Sequence, residues 1–267
     1  MRSGVTVSDG ACIAVRGYGG TGRSILLLHG LMGRASTWWQ ASRWLADHGR
    51  VVAVDARAHG DTTTPTPGPW PTERFVADAV EVIEALELGP AVVIGHSMGG
   101  LHGWELAAAR PDLVSALVVE DMAPDHRGRT AAPWVSWFEA MPAAYESIAA
   151  VRDAFGWPRP SVGDYIAECV RETPDGYRLL TEHAMAAAIA GEWGERDFWD
   201  SVARVHCPTL LLEAEESPIA SEQMAAMAKL MPRARHVRVP GTGHLLHDDA
   251  PQRYRELVTG FLTALPG

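Results

Sequence analysis

The chain has 267 residues, 21% of them charged and 47% hydrophobic, which excludes a disordered polymer and a membrane-spanning bundle and allows one sizeable α/β core. A formal charge of −10 argues against nucleic acid or an anionic membrane as partner, and suits a cytoplasmic monomer or homodimer acting on a small molecule. Cys12, Cys169 and Cys207 show neither CxxC nor metal-ligand spacing, so no disulfide framework and no metal site is expected, and the first residues lack the apolar core of a secretory signal.

Residues 5–7 and 13–16 alternate around Asp9-Gly10 and predict a β-hairpin with a tight turn. The apolar run 24–28 predicts a strand buried on both faces, leading into His29-Gly30-Leu31-Met32-Gly33. Ser36 predicts the N-cap of a helix carrying Trp38, Trp39, Trp44 and Leu45. A second buried strand over 51–54 ends at Asp55-Ala56-Arg57-Ala58-His59-Gly60, followed by a stiff loop over 62–71 rich in proline and threonine. Thr72 predicts the cap of a helix with an apolar face of Phe75, Val76, Ala79, Val80, Ile83 and Leu86. Strand 91–94, helix 101–110 and strand 116–119 follow, the last closing on Glu120-Asp121. This alternation predicts right-handed crossovers and a doubly wound, mostly parallel sheet covered on both faces.

After Met122 the β-branched runs stop, and residues 123–201 hold five of the ten tryptophans. Patches at 134–141, 161–171 and 177–190, separated by Pro and Gly, predict a mostly helical insertion. The α/β pattern resumes with strand 209–212, helix 221–230, strand 236–239, Gly241-Thr242-Gly243-His244 and a last helix over 248–264. The expected organisation is therefore a core of residues 1–122 and 202–267 with an inserted unit of 123–201.

The stretch Gly95-His96-Ser97-Met98-Gly99 lies between a predicted strand and a predicted helix. Such a turn crowds the backbone around its central residue, so small residues are needed on either side, and it lifts the Ser97 hydroxyl clear of the sheet. Four blocks in order then carry a family resemblance: His29-Gly30 after a buried strand, Asp55 to Gly60, Gly95 to Gly99, and Pro240-Gly241-Thr242-Gly243-His244. The chain resembles the α/β-hydrolases of the esterase, lactonase and haloperoxidase-like type over nearly all of its length outside the insertion, which sits where that family carries a helical cap.

The resemblance implies an eight-stranded sheet, a serine hydrolase acting on an ester or lactone of a hydrophobic small molecule, and no metal or organic cofactor. It assigns Ser97 as nucleophile, His244 as base, with His247 in reserve, and the backbone N–H groups of Leu31 and Met98 as oxyanion donors. C–C bond hydrolysis or perhydrolysis on the same residues, and a non-catalytic ligand-binding protein of this fold, are the alternatives. Family members usually place an acid after the seventh strand of the sheet, but Ser217 stands there, leaving Glu215 or Glu216 as neighbours. Some members place the acid after the sixth strand instead, where Asp121 is favoured over Glu120 because successive strand residues point to opposite faces. Asp55 and His59 are expected to brace loops, and Asp125-His126-Arg127-Gly128-Arg129 to form a solvated hinge. One or two of Trp134, Trp137, Met185 and Trp193 are expected to touch substrate.

Overall fold

A computed structural model describes residues 2–129, 136–138, 140–217, 219 and 222–266. The strands are β1 (Arg2–Thr6), β2 (Cys12–Gly19), β3 (Ser24–Leu28), β4 (Arg50–Val54), β5 (Ala91–His96), β6 (Val114–Glu120), β7 (Val170–Thr173), β8 (Gly176–Leu179), β9 (Thr209–Ala214) and β10 (Ala234–Val239). Eight form one sheet in the order β1-β2-β4-β3-β5-β6-β9-β10, with the β1–β2 and β2–β4 pairs antiparallel and the other five pairs parallel, as the resemblance implied.

The helices are α1 (Trp39–Leu45), α2 (Thr72–Ala85), α3 (Met98–Ala109), α4 (Ile148–Phe155), α5 (Pro160–Ala167), α6 (His183–Trp193), α7 (Trp199–Val202), α8 (Gln223–Leu230), α9 (Leu246–Asp249) and α10 (Pro251–Ala264). None of the described helices is long and apolar enough to cross a membrane.

Strand alternation divides the core into two layers. Leu26, Leu28, Val93, Leu117 and Val119 face one side, together with Phe75 and Val76 of α2 and Leu101 and Trp104 of α3. Ile25, Leu27, Val92, Ile94 and Val118 face the other, against Trp38, Leu45, Tyr254 and Val258. Each such side chain stabilises the fold by about 1.5–3 kcal/mol relative to an exposed one, so the central strands are the rigid part from which the site projects.

Three local expectations are corrected. Ser36 does not cap α1: it lies inside a 3-10 turn, Ala35–Trp38, that runs into the helix, and Thr37 rather than Ser36 donates its hydroxyl to Arg34 O at 2.8 Å. Thr72 is the first residue of α2 rather than its cap, and its N–H and hydroxyl donate to Glu192 of α6 at 2.8 and 2.9 Å. The helical patch predicted over 177–190 opens as strand and is helix only from His183: β7 and β8 form an antiparallel hairpin with Glu172 opposite Tyr177, and α6 follows. Thr173-Pro174-Asp175-Gly176 turns this hairpin, with Gly176 at φ 116°.

Candidate active site

β5 ends at His96 and α3 begins at Met98, so Ser97 alone makes the turn, at φ 51° and ψ −120°. A non-glycine residue in that region is strained and persists only where its surroundings hold it. Ser97 N–H donates to Glu120 O at 2.8 Å, while Ser97 O accepts from Gly100 and Leu101 at 2.7 and 3.1 Å. Gly30 of the loop after β3 is pressed against this turn: a Cβ there would lie 2.6 Å from His96 Nδ1 and 3.2 Å from Ser97 Cβ. Among the described residues, neither the Leu31 nor the Met98 N–H has a protein acceptor; Met98 is in the first helical turn, where no intrahelical partner exists.

His244 lies on the loop after β10, and the residue before Ser97 fastens it. His96 Nε2–H donates to His244 O at 2.9 Å, and the two rings are 4.6 Å apart between centroids. Burial pushes the His96 pKa well below the usual histidine value, with His244 and His247 adding to the effect, so the ring is neutral and its single proton sits on Nε2. His244 Nδ1–H donates to Asp121 Oδ2 at 2.7 Å, which leaves Nε2 as the ring's unprotonated nitrogen when neutral.

Asp121, fully buried at φ 48°, is itself held on both oxygens. Ala214 N–H donates to Oδ1 at 2.9 Å and the Ser217 hydroxyl donates to Oδ2 at 2.6 Å. The serine that stands where the acid is common thus donates to Asp121, at the end of the neighbouring strand. The other carboxylates go elsewhere. Glu215 accepts from Gly241 N–H at 2.8 Å, the exposed Glu216 pairs with Arg159 at 2.6 Å, and Glu120 bonds His247 at 2.8 Å.

Asp55 and His59 tie loops together, as expected. Asp55 accepts from Ala35 N–H at 2.5 Å and Asp61 N–H at 2.7 Å, and His59 Nε2 accepts from Met32 N–H at 3.1 Å, fixing the loop that carries Leu31. Burial lowers the His59 pKa to about 3 and that of His29 to about 4, consistent with neutral rings accepting at Nε2. His126 departs from the solvated hinge that sequence suggested. It is buried, its ring is 6.3 Å from Trp193, and its Nε2 has no hydrogen-bond partner among the described residues. Burial lowers its pKa to about 4, with a smaller contribution from the Arg129 guanidinium.

The aromatic candidates scatter. Trp134 lies outside the described residues. Trp137 is 50% exposed and contacts Phe138 and Phe155, Trp193 is packed into the main core, and Met185 is half-buried beside Gly68. A cavity of about 840 Å³ is lined by Pro69, Trp70 and Pro71, by Phe138, by α6 residues from His183 to Glu192 and by Glu195 just past that helix, and none of the three described candidates lines it. Ser97 is only 4% exposed.

The α/β-hydrolase family model matches residues 25–257, and the chain belongs to this family. It is 30% identical, over 98% of both chains, to a Bacillus subtilis (strain 168) protein provisionally named 2-succinyl-6-hydroxy-2,4-cyclohexadiene-1-carboxylate synthase. It is 29% identical to the mouse (Mus musculus) sn-1-specific diacylglycerol lipase ABHD11, over 90% of this chain and 80% of that one. The crystal structure of E-2-(acetamidomethylene)succinate hydrolase shares the fold with a TM-score of 0.86, at 24% identity over 99% of each chain. The chain is an enzyme of this hydrolase family.

Proposed function

We propose that the protein is a serine hydrolase of a carboxylic ester or lactone with a hydrophobic acyl or ring portion, residues 123–201 forming a cap over a core of 1–122 and 202–267. The observation that carries this is the 2.7 Å bond from His244 Nδ1–H to Asp121, on a loop whose carbonyl is bonded by the residue preceding Ser97. His244 Nε2 takes the Ser97 proton as Oγ attacks the carbonyl carbon. The oxyanion is received by the Leu31 and Met98 N–H groups, and the His244 proton passes to the departing alkoxide. Water, deprotonated by His244, then cleaves the acyl-enzyme and regenerates Ser97. The ABHD11 lipase among the relatives supports an ester substrate.

A fluorophosphonate probe tests the assignment. It is expected to label wild-type protein once, at Ser97 by peptide mass, and to leave Ser97→Ala unlabelled. Absence of labelling at Ser97 removes the proposal. A panel of p-nitrophenyl esters and lactones of graded ring and chain size then separates ester from lactone preference, and no turnover across it would favour C–C cleavage on the same residues.

A further inference from the structure

Behind the Asp121–His244 pair lies a second one built from the adjacent residue of the same strand and the same turn. Glu120 continues the face of β6 occupied by Val118, so it points into the layer of Trp38 and Tyr254. Its Oε1 accepts twice from His247, from the ring Nδ1–H at 2.8 Å and from the backbone N–H at 3.1 Å. Both side chains are buried, at 0% and 3% exposure. The His247 ring stacks on Trp38 at 4.7 Å and meets Tyr254, Tyr165 and His96 edge-on at 5.9, 6.5 and 5.4 Å.

A buried ion pair is weak evidence for stability, because the desolvation of both groups offsets their attraction, and it is better explained where it fixes one geometry among several. Here the geometry fixed is that of residues 243–249. Gly243 N–H donates to Asp249 at 2.6 Å, His96 grips the His244 carbonyl, and Glu120 grips His247 one turn further on.

We propose that Glu120 and His247 are positioning residues, a second carboxylate–histidine clasp that holds the turn bearing His244 against the end of β6. The inference rests on His244 being the base. Without the clasp, His244 keeps its bond to Asp121 but the turn can shift relative to Ser97, and misplacement of a reacting group by about 1 Å lowers turnover about 100-fold.

The clasp has a pH signature. Burial alone would lower the His247 pKa, but the carboxylates of Glu120 and Asp248, with Asp249 beyond, outweigh it and raise it to about 9. From the other packed elements the groups facing it are His96, which is neutral, and the phenols of Tyr165 and Tyr254, both held well above the usual tyrosine value by burial. The folded-state value lies above the ordinary one, so the ionic part of the clasp is complete below about pH 6.5 and is lost as pH rises through about 9, the ring then giving up its Nε2 proton and holding Glu120 by a neutral Nδ1–H bond, weaker than the charged one.

Turnover of p-nitrophenyl acetate is to be measured well below the melting temperature in wild type and Glu120→Gln. The variant is expected to lose about 10- to 100-fold in kcat with KM within about twofold, and to lack the basic limb near pH 9 that wild type shows. A lower melting temperature with wild-type kcat and pH profile would overturn the proposal. If Glu120→Gln does not fold, the wild type still decides the matter. ¹⁵N-histidine NMR gives the midpoint at which His247 loses its proton, its signal assigned by its loss in His247→Asn. The basic limb of kcat must coincide with that midpoint, and a flat kcat through it overturns the clasp. Absence of fluorophosphonate labelling at Ser97 overturns the hydrolase assignment itself; labelled protein with an unaffected Glu120→Gln variant overturns only the clasp.

Discussion

Asp121→Asn is expected to lower kcat on p-nitrophenyl esters by about 10⁴-fold while the protein folds normally, the magnitude of the same change in a serine protease triad. The hydrogen-bond inventory around the carboxylate gives the reason. Oδ1 faces the Ala214 N–H, a donor that cannot turn away, so the amide oxygen of an asparagine must take that side. The amide NH₂ is then left on the side of Ser217 and His244. The Ser217 hydroxyl can rotate to accept, but His244 Nδ1 can accept only by giving up its proton, which moves to Nε2 and blocks proton transfer from Ser97. Ser217→Ala removes one of the two donors that hold the carboxylate besides His244, without forcing the tautomer, so a loss of about tenfold is expected. Glu216→Gln is expected to stay within about twofold of wild type, since Glu216 is exposed and paired with Arg159. Steady-state kinetics on the three variants checks the order. Wild-type turnover in Asp121→Asn with loss in Glu216→Gln would transfer the acid's role to the loop after β9.

The elements that position this site were readable because each is encoded locally. The apolar β-branched run before Gly95 and the small residues after Ser97 specify a strand, a sharp turn and a helix without reference to anything distant, and the alternation of strands and helices gives the sheet its topology. Asp121 was legible at one remove, because strand ends on one edge of a doubly wound sheet share a crevice. Ser217 was legible only as a missing acid: that its hydroxyl meets Asp121 depends on β6 and β9 being neighbours in the sheet.

The insertion was least legible, for two reasons. Its hairpin is carried by four-residue strands, too short for a period of two to stand out, although Thr173-Pro174-Asp175-Gly176 is a turn signal that the helical pattern of the following alanines masked. Its aromatics have the same spacing whether they pack inward or line a pocket, and Trp193 is buried against the core while Trp137 is half exposed. The buried pairing of Glu120 with His247 left no mark in composition or spacing, since a histidine at the start of a helix is usually solvated.

Gly95→Ala is expected to destabilise the protein by about 3 kcal/mol or more, enough to deplete folded protein at 37 °C, because the added methyl has nowhere to go. A Cβ on Gly95 would overlap the carbonyl of Gly99 and approach Gly100 N at 2.6 Å; both are backbone, fixed by the first turn of α3. One on Gly99 would overlap Leu28 O, in the strand that leads to the loop of Leu31, so the same result is expected there. Relaxing either clash means moving α3 off the sheet, which opens the layer holding Leu101 and Trp104. Two controls separate crowding from any general effect of replacing glycine. Gly103→Ala sits on the same helix but meets the tip of a flexible side chain, Leu117 Cδ1 at 3.0 Å, so its cost is expected to be below about 1.5 kcal/mol. Gly260, inside α10, has no atom within 4 Å of its built Cβ, and Gly260→Ala is expected to stabilise by about 0.5–1 kcal/mol through helix propensity and a less flexible unfolded chain. Urea midpoints at constant m-value rank the four variants. A Gly95→Ala midpoint equal to that of Gly103→Ala would mean that the Ser97 turn has room to relax, and that its positive φ is not held by the close approach of β5 and α3.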